Sequence, residues 1–170
     1  MKPKIQEELD TVTTELLLMI ASFDQEQINI IPFENSWTAA QVANHLYKSD
    51  ASVIASLYGY ATPTARAADE KAPELKGIFL NFDLKMKSPD MVVPDNRIFN
   101  KDELIVSLKE TRSRLSTAAA TLNLAEVCTH EVLGDMTRLE FLSFVLYHTQ
   151  RHVYQLKRIH EKITRIQQSA

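Results

Sequence analysis

His148 and His152 stand four residues apart in the stretch YHTQRH. On a helix that spacing brings two side chains together on one face. Two neutral imidazoles so placed can grip one divalent cation, with Zn–N distances near 2.0–2.1 Å. Zinc proteases use the same spacing in HExxH, but the residue after the first histidine is Thr149, where that motif carries its glutamate base. The pair therefore fits a metal site without protease chemistry. It also fits two core histidines whose ring nitrogens are bonded to backbone or water.

A catalytic metal needs a third protein ligand and an open position. The other histidines are His45, His130 and His160. His45 is the best candidate. It lies on a predicted helix, at the edge of an apolar face, beside Gln41, Val42, Ser49 and Ser52 at helical spacing. On its own it reads as a boundary residue, and its weight comes from the pair. His130, in CTHEVLGD, is expected in a turn, and His160 on the surface.

No carboxylate accompanies the pair at a spacing that nominates a general base, since Glu140 and Glu161 are distant along the chain. Glutamate-driven attack by a metal-bound water is thus disfavoured. A thiol needs less help, because coordination itself lowers its pKa. Arg151, Tyr147, Gln155 and Lys48 are candidates to surround the pair. Arg151 is the candidate substrate contact, able to hold a carboxylate bidentately. Each of these also reads as an ordinary bundle residue, and Tyr147 as core.

The elements that must position these groups are set off by Gly and Pro. A first helix is predicted from about Pro3 to Asp24, with Ile5, Leu9, Val12, Leu16, Met19, Ile20 and Phe23 stepping by three and four. Thr38 and Gln41 form a capping box that opens a second, running to Gly59. Asn100 and Glu103 give the same signature for a third, which carries Leu104, Leu108, Leu115 and Leu122. Thr137 and Glu140 open the fourth, which holds the histidine pair and runs to about Gln167. Trp37, just ahead of the second helix, reads as a hydrophobic staple.

No strand pattern of useful length is found, DMVVP being the best candidate, so the expected fold is all-α, a four-helix bundle. About forty residues, Tyr60 to Phe99, separate helices two and three, a connection long enough to run back along the bundle. The predicted order is then up-down-down-up. Within that crossover GIFLNFDLKMK is expected as a short helix and KSPDMVVPDNR as loop.

The bulk numbers bound the rest. A chain of 170 residues, 45% hydrophobic and 24% charged, fits one globular domain over 1–170. The lone Cys128 excludes an internal disulfide and is compatible with a reducing, cytoplasmic setting. The opening MKPKIQEELDTV has no apolar run and is not expected to be a signal peptide. LLLMIA, the longest apolar run, is too short to cross a bilayer, so no membrane role is expected. A net charge of −3, from 19 basic and 22 acidic residues, offers no nucleic-acid surface. The cations between Arg151 and Arg165 are explained by the C-terminal end of a helix dipole.

Several segments carry a resemblance. NSWTAAQVANHLYKSD and FLSFVLYHTQRHVYQLKRI resemble the histidine helices of the DinB/YfiT-like superfamily of metal-binding bundles. LNFDLKMKSPDMVVP and HEVLGDMTRLEF resemble the segments between them, in the same order, so the likeness covers almost the whole chain. The resemblance implies an up-down-down-up bundle, often homodimeric, that binds a divalent metal, zinc or nickel foremost, through His45, His148 and His152. It also implies a metal-dependent enzyme acting on a small molecule, by low-molecular-weight-thiol transfer or hydrolysis. The alternative is a catalytically silent bundle serving as a small-ligand binder or dimeric stress-response module.

Overall fold

The structure is a computed structural model that describes residues 1–170. Four long helices carry it: α1 (Lys4–Ala21), α2 (Ala39–Leu57), α4 (Lys101–Thr121) and α5 (Arg138–Gln168), with the short α3 (Ala72–Phe79) between α2 and α4. None of them is long and apolar enough to cross a membrane.

The helix starts follow the local chemistry. Thr38 Oγ1 accepts from the Gln41 amide at 3.1 Å, and Gln41 Oε1 accepts from the Thr38 amide at 3.0 Å. Thr137 and Glu140 make the same pair of bonds at 3.1 and 2.8 Å. At α4 only half of the expected box forms: Asn100 Oδ1 accepts from the Glu103 amide. Pro3 sits one residue ahead of α1, at its N-cap. That helix ends at Ala21, short of Asp24, whose carboxylate instead accepts the amides of Glu26 and Gln27 and opens a 3-10 turn.

Two hydrophobic clusters fill the bundle. One gathers Ile5, Leu9 and Val12 from the start of α1, Val53, Ile54 and Leu57 from the end of α2, Leu115 and Ala118 from the end of α4, and Phe141 to Leu146 from the start of α5. The other gathers Leu16 and Ile20, Val42 and Leu46, Leu104 and Leu108, and Val153 to Ile163, from the opposite ends of the same helices. Burying each of these larger side chains contributes about 1.5–3 kcal/mol.

The fold is mostly helical, but the all-α expectation misses a small sheet. β1 (Ala61–Thr62), β2 (Val127–His130) and β3 (Gly134–Thr137) pair antiparallel in that order, with Cys128 opposite both Ala61 and Met136. Strands this short show no alternation long enough to read. Gly134, at φ 71°, turns the chain between β2 and β3 in a conformation that suits glycine. His130 is therefore a strand residue at the hairpin, not a residue of a free turn.

In the crossover, α3 starts at Ala72, five residues before the expected Gly77, because Pro73 and Glu74 supply a first-turn proline and a first-turn acid. The later part is irregular, with a turn closed by the Leu84 amide on the Asn81 carbonyl and a 3-10 turn at Asp90–Val92. It lies against α2 and α5 and roofs a cavity between them.

Candidate metal centre

His45 on α2 meets His148 and His152 on α5 beneath that roof. All three are buried. His148 Nε2 lies 3.1 Å from His45 Nε2 and 3.0 Å from His152 Nε2. The outer nitrogens decide what these contacts are. His45 Nδ1 is 2.8 Å from the Val92 carbonyl, which can only accept, so Nδ1 carries the proton and Nε2 a lone pair. Ser88 Oγ, 3.3 Å from the same nitrogen, shares that proton. His152 Nδ1 donates to Gln155 Oε1 at 2.8 Å, so its Nε2 is also unprotonated.

A neutral His148 has at most one proton to offer at Nε2, and two lone pairs face it. At least one contact therefore brings two ring nitrogens to about 3 Å with no proton between them, an arrangement that a shared cation stabilises. Protonating the rings instead is opposed by their surroundings. Burial pushes His45 down; burial, then the two neighbouring imidazoles, hold His148 well below its usual range; and burial with His45 lowers His152 to about 3. Three neutral, convergent imidazoles fit a divalent metal of borderline softness.

The walls hold the rings in place. Trp37 packs on His45 with ring centroids 5.1 Å apart, and Phe144 stacks on His148 at 5.0 Å with Phe79 edge-on at 5.7 Å. Behind the site, Arg112 on α4 and Asp50 on α2 form a buried ion pair, Nε to Oδ2 at 2.8 Å. Arg112 also donates to Thr149 Oγ1 at 2.7 Å, tying three helices together next to His148. So Thr149, the residue that departs from the protease motif, belongs to the packing behind the site.

Sequence reasoning singled out neither Asp50 nor Arg112. The signal is present: each interrupts an apolar stripe, Asp50 between Leu46 and Val53, Arg112 between Leu108 and Leu115. His130 is buried and lines the cavity; its Nδ1 accepts the amides of Val132 and Leu133, and its Nε2 donates to Ser52 Oγ at 3.1 Å. His160 is half-buried against the edge of Phe23, outside the site.

The other predicted neighbours divide. Gln155 orients His152, as above. Lys48 pairs with Asp95 at 2.7 Å and donates to the Val93 carbonyl. Tyr147 is half-buried. Arg151 lines the cavity, but its guanidinium donates to the carbonyls of Phe79, Asn81 and Leu84, so it fastens the roof to α5. The cavity itself has a volume of about 980 Å³, room for a small-molecule ligand.

Three convergent histidines lining a cavity in a helical bundle mark a candidate metal-binding bundle protein. The chain belongs to the DinB superfamily, whose model matches residues 8–156. It is 26% identical over 150 residues to the uncharacterized protein YuaE of Bacillus subtilis (strain 168), covering 86% of this chain and 91% of that one. Its fold is similar to that of YfiT from Bacillus subtilis, described as a probable metal-dependent hydrolase with an unusual four-helix bundle topology. That likeness has a TM-score of 0.59 at 20% identity and covers 95% of this chain and 86% of the other.

Proposed function

We propose that the protein is a metal-dependent enzyme whose divalent ion is held by His45, His148 and His152, and that it transfers a low-molecular-weight thiol to a small electrophile. The observation that carries this is the convergence of three Nε2 atoms, two of them fixed as lone pairs by Val92 and Gln155. Zinc or nickel suits the all-imidazole donor set. When bound, such an ion supplies Lewis acidity, lowering the pKa of a thiol or water and polarising an oxygen.

The protein's own part is binding, orientation and exclusion of water. Trp37, Phe79 and Phe144 keep the rings dry and fixed. Asp83 is the one carboxylate lining the cavity, and it lies on the exposed roof. That scarcity of bases favours thiol transfer, which does not require one. Hydrolysis is the second reading, favoured by the description of YfiT as a metal-dependent hydrolase.

The same reading includes an up-down-down-up order. The two clusters support it, since the start of α1 meets the ends of α2 and α4 and the start of α5. It also includes a homodimer, the state expected from the resemblance. A screen of thiols against electrophiles tests the activity. Turnover that is lost on chelation and in His152→Ala is expected. Metal-loaded protein that turns over no thiol in that screen, but cleaves esters or amides, would replace transfer by hydrolysis.

A further inference from the structure

The cavity is charged unevenly. Four cations line it, Lys85 and Lys87 from the roof and Arg151 and Arg158 from α5, against the single acid Asp83. None of the four is in an ion pair. This excess does not follow from composition, because the whole chain carries −3. Lys48, by contrast, is matched by Asp95 and Arg66 by Glu140. Three main-chain carbonyls fix the Arg151 guanidinium but leave its charge uncancelled.

The cations are also placed asymmetrically about the histidines. Toward the start of α5 the cavity wall is neutral: Phe144 and Leu133, with Ser49, Ser52 and His130. His130 is a neutral donor there, its tautomer fixed by the two amides on Nδ1 and its pKa lowered by burial. Ser49 is buried, one turn beyond His45, and its hydroxyl makes no hydrogen bond within the chain. In the other direction, Arg151, Gln155 and Arg158 follow one another along the strip of α5 that holds His148 and His152. Arg158 is the free cation at the far end, about 9 Å along the axis from His152 at 1.5 Å per residue.

We infer that the cavity takes an amphipathic organic anion whose acidic group sits at the Arg158 end while its neutral end reaches the histidines. This rests on the proposed site only for the position of the reacting end; the charge preference belongs to the walls. Uncancelled cations on the rim of an apolar cavity concentrate anions and strengthen their binding, more so at low salt.

The preference is measurable on metal-stripped protein, where a carboxylate cannot gain affinity by coordination. Trp37, the one tryptophan, lines the cavity and reports occupancy by its fluorescence. Octanoate, octanol and octylammonium are the probes. Octanoate is expected to bind about tenfold tighter than octanol at low salt, with octylammonium weakest and the difference shrinking by about 0.5 M salt. Arg158→Glu, an exposed change that leaves the fold intact, is expected to abolish or invert the order. Equal binding of octanoate and octanol, no saturable binding of any probe, or an order unchanged in Arg158→Glu overturns the inference. Any of these would leave the three-histidine reading standing, and a protein that binds no metal would leave the charge preference standing.

Discussion

His45 and Val92 are joined by a 2.8 Å hydrogen bond from the ring Nδ1 to the main-chain carbonyl. That single contact fixes the tautomer of one candidate ligand. It also ties the candidate metal centre to the crossover that roofs it. Gln155 does the corresponding work for His152 from within α5. Partners of this kind typically account for 10–100-fold in metal affinity. Gln155→Ala is therefore expected to weaken zinc binding by about that factor with little loss of helix content. Competition against a chromophoric chelator measures it, and an unchanged affinity would mean that His152 needs no orienting partner.

The histidines also set a pH dependence for the metal-free protein. His152 titrates near 6.5 when unfolded and at about 3 in the fold. Between those values the unfolded chain binds a proton that the folded chain refuses, so stability rises with pH. The contribution is full above about pH 6.5 and is lost as pH falls toward 3, each unit of the shift amounting to about 1.4 kcal/mol. His45, His148 and His130 are shifted in the same direction. Denaturant melts of chelated protein from pH 7 to 4 should show a falling stability whose slope is shallower in His152→Asn. Parallel slopes for the two proteins would contradict the assignment.

Asp50 and Arg112 make a different test. Removing one partner strands a buried charge, so Asp50→Ala is expected to cost about 3–5 kcal/mol. Replacing both by apolar residues, Asp50→Leu with Arg112→Met, should recover most of that loss. A double variant no more stable than Asp50→Ala would show that the pair does something packing cannot replace.

Arg151 gives a prediction about the roof. Its donors satisfy three carbonyls between Phe79 and Leu84. Arg151→Ala should speed amide exchange over roughly 79–92, because it removes the hydrogen bonds that fasten the roof to α5, each contributing about 0.5–1.5 kcal/mol. Lysine should rescue little, since one ammonium cannot span the three acceptors of a planar fork. Protection unchanged in the alanine variant would remove Arg151 from this role.

The sequence made the helical part of the fold legible because caps and periodicity are local. Thr38 with Gln41 and Thr137 with Glu140 marked two helix starts to the residue. The histidine pair was legible for the same reason, being one helix face. His45 was the best third candidate from the residues but read alone as a boundary residue, because nothing local joins residues 45 and 148; the family resemblance is what added weight to it. The sheet was not legible, since two- and four-residue strands are specified by the helices they join. The role of Arg151 was hidden as well, because its partners are main-chain carbonyls, which leave no mark in a sequence.

The central claim is that His45, His148 and His152 hold a divalent ion, and elemental analysis of untagged protein tests it most directly. About one equivalent of zinc or nickel per chain is expected, lost in His148→Ala. Metal content near zero, even after reconstitution with either ion, would contradict it.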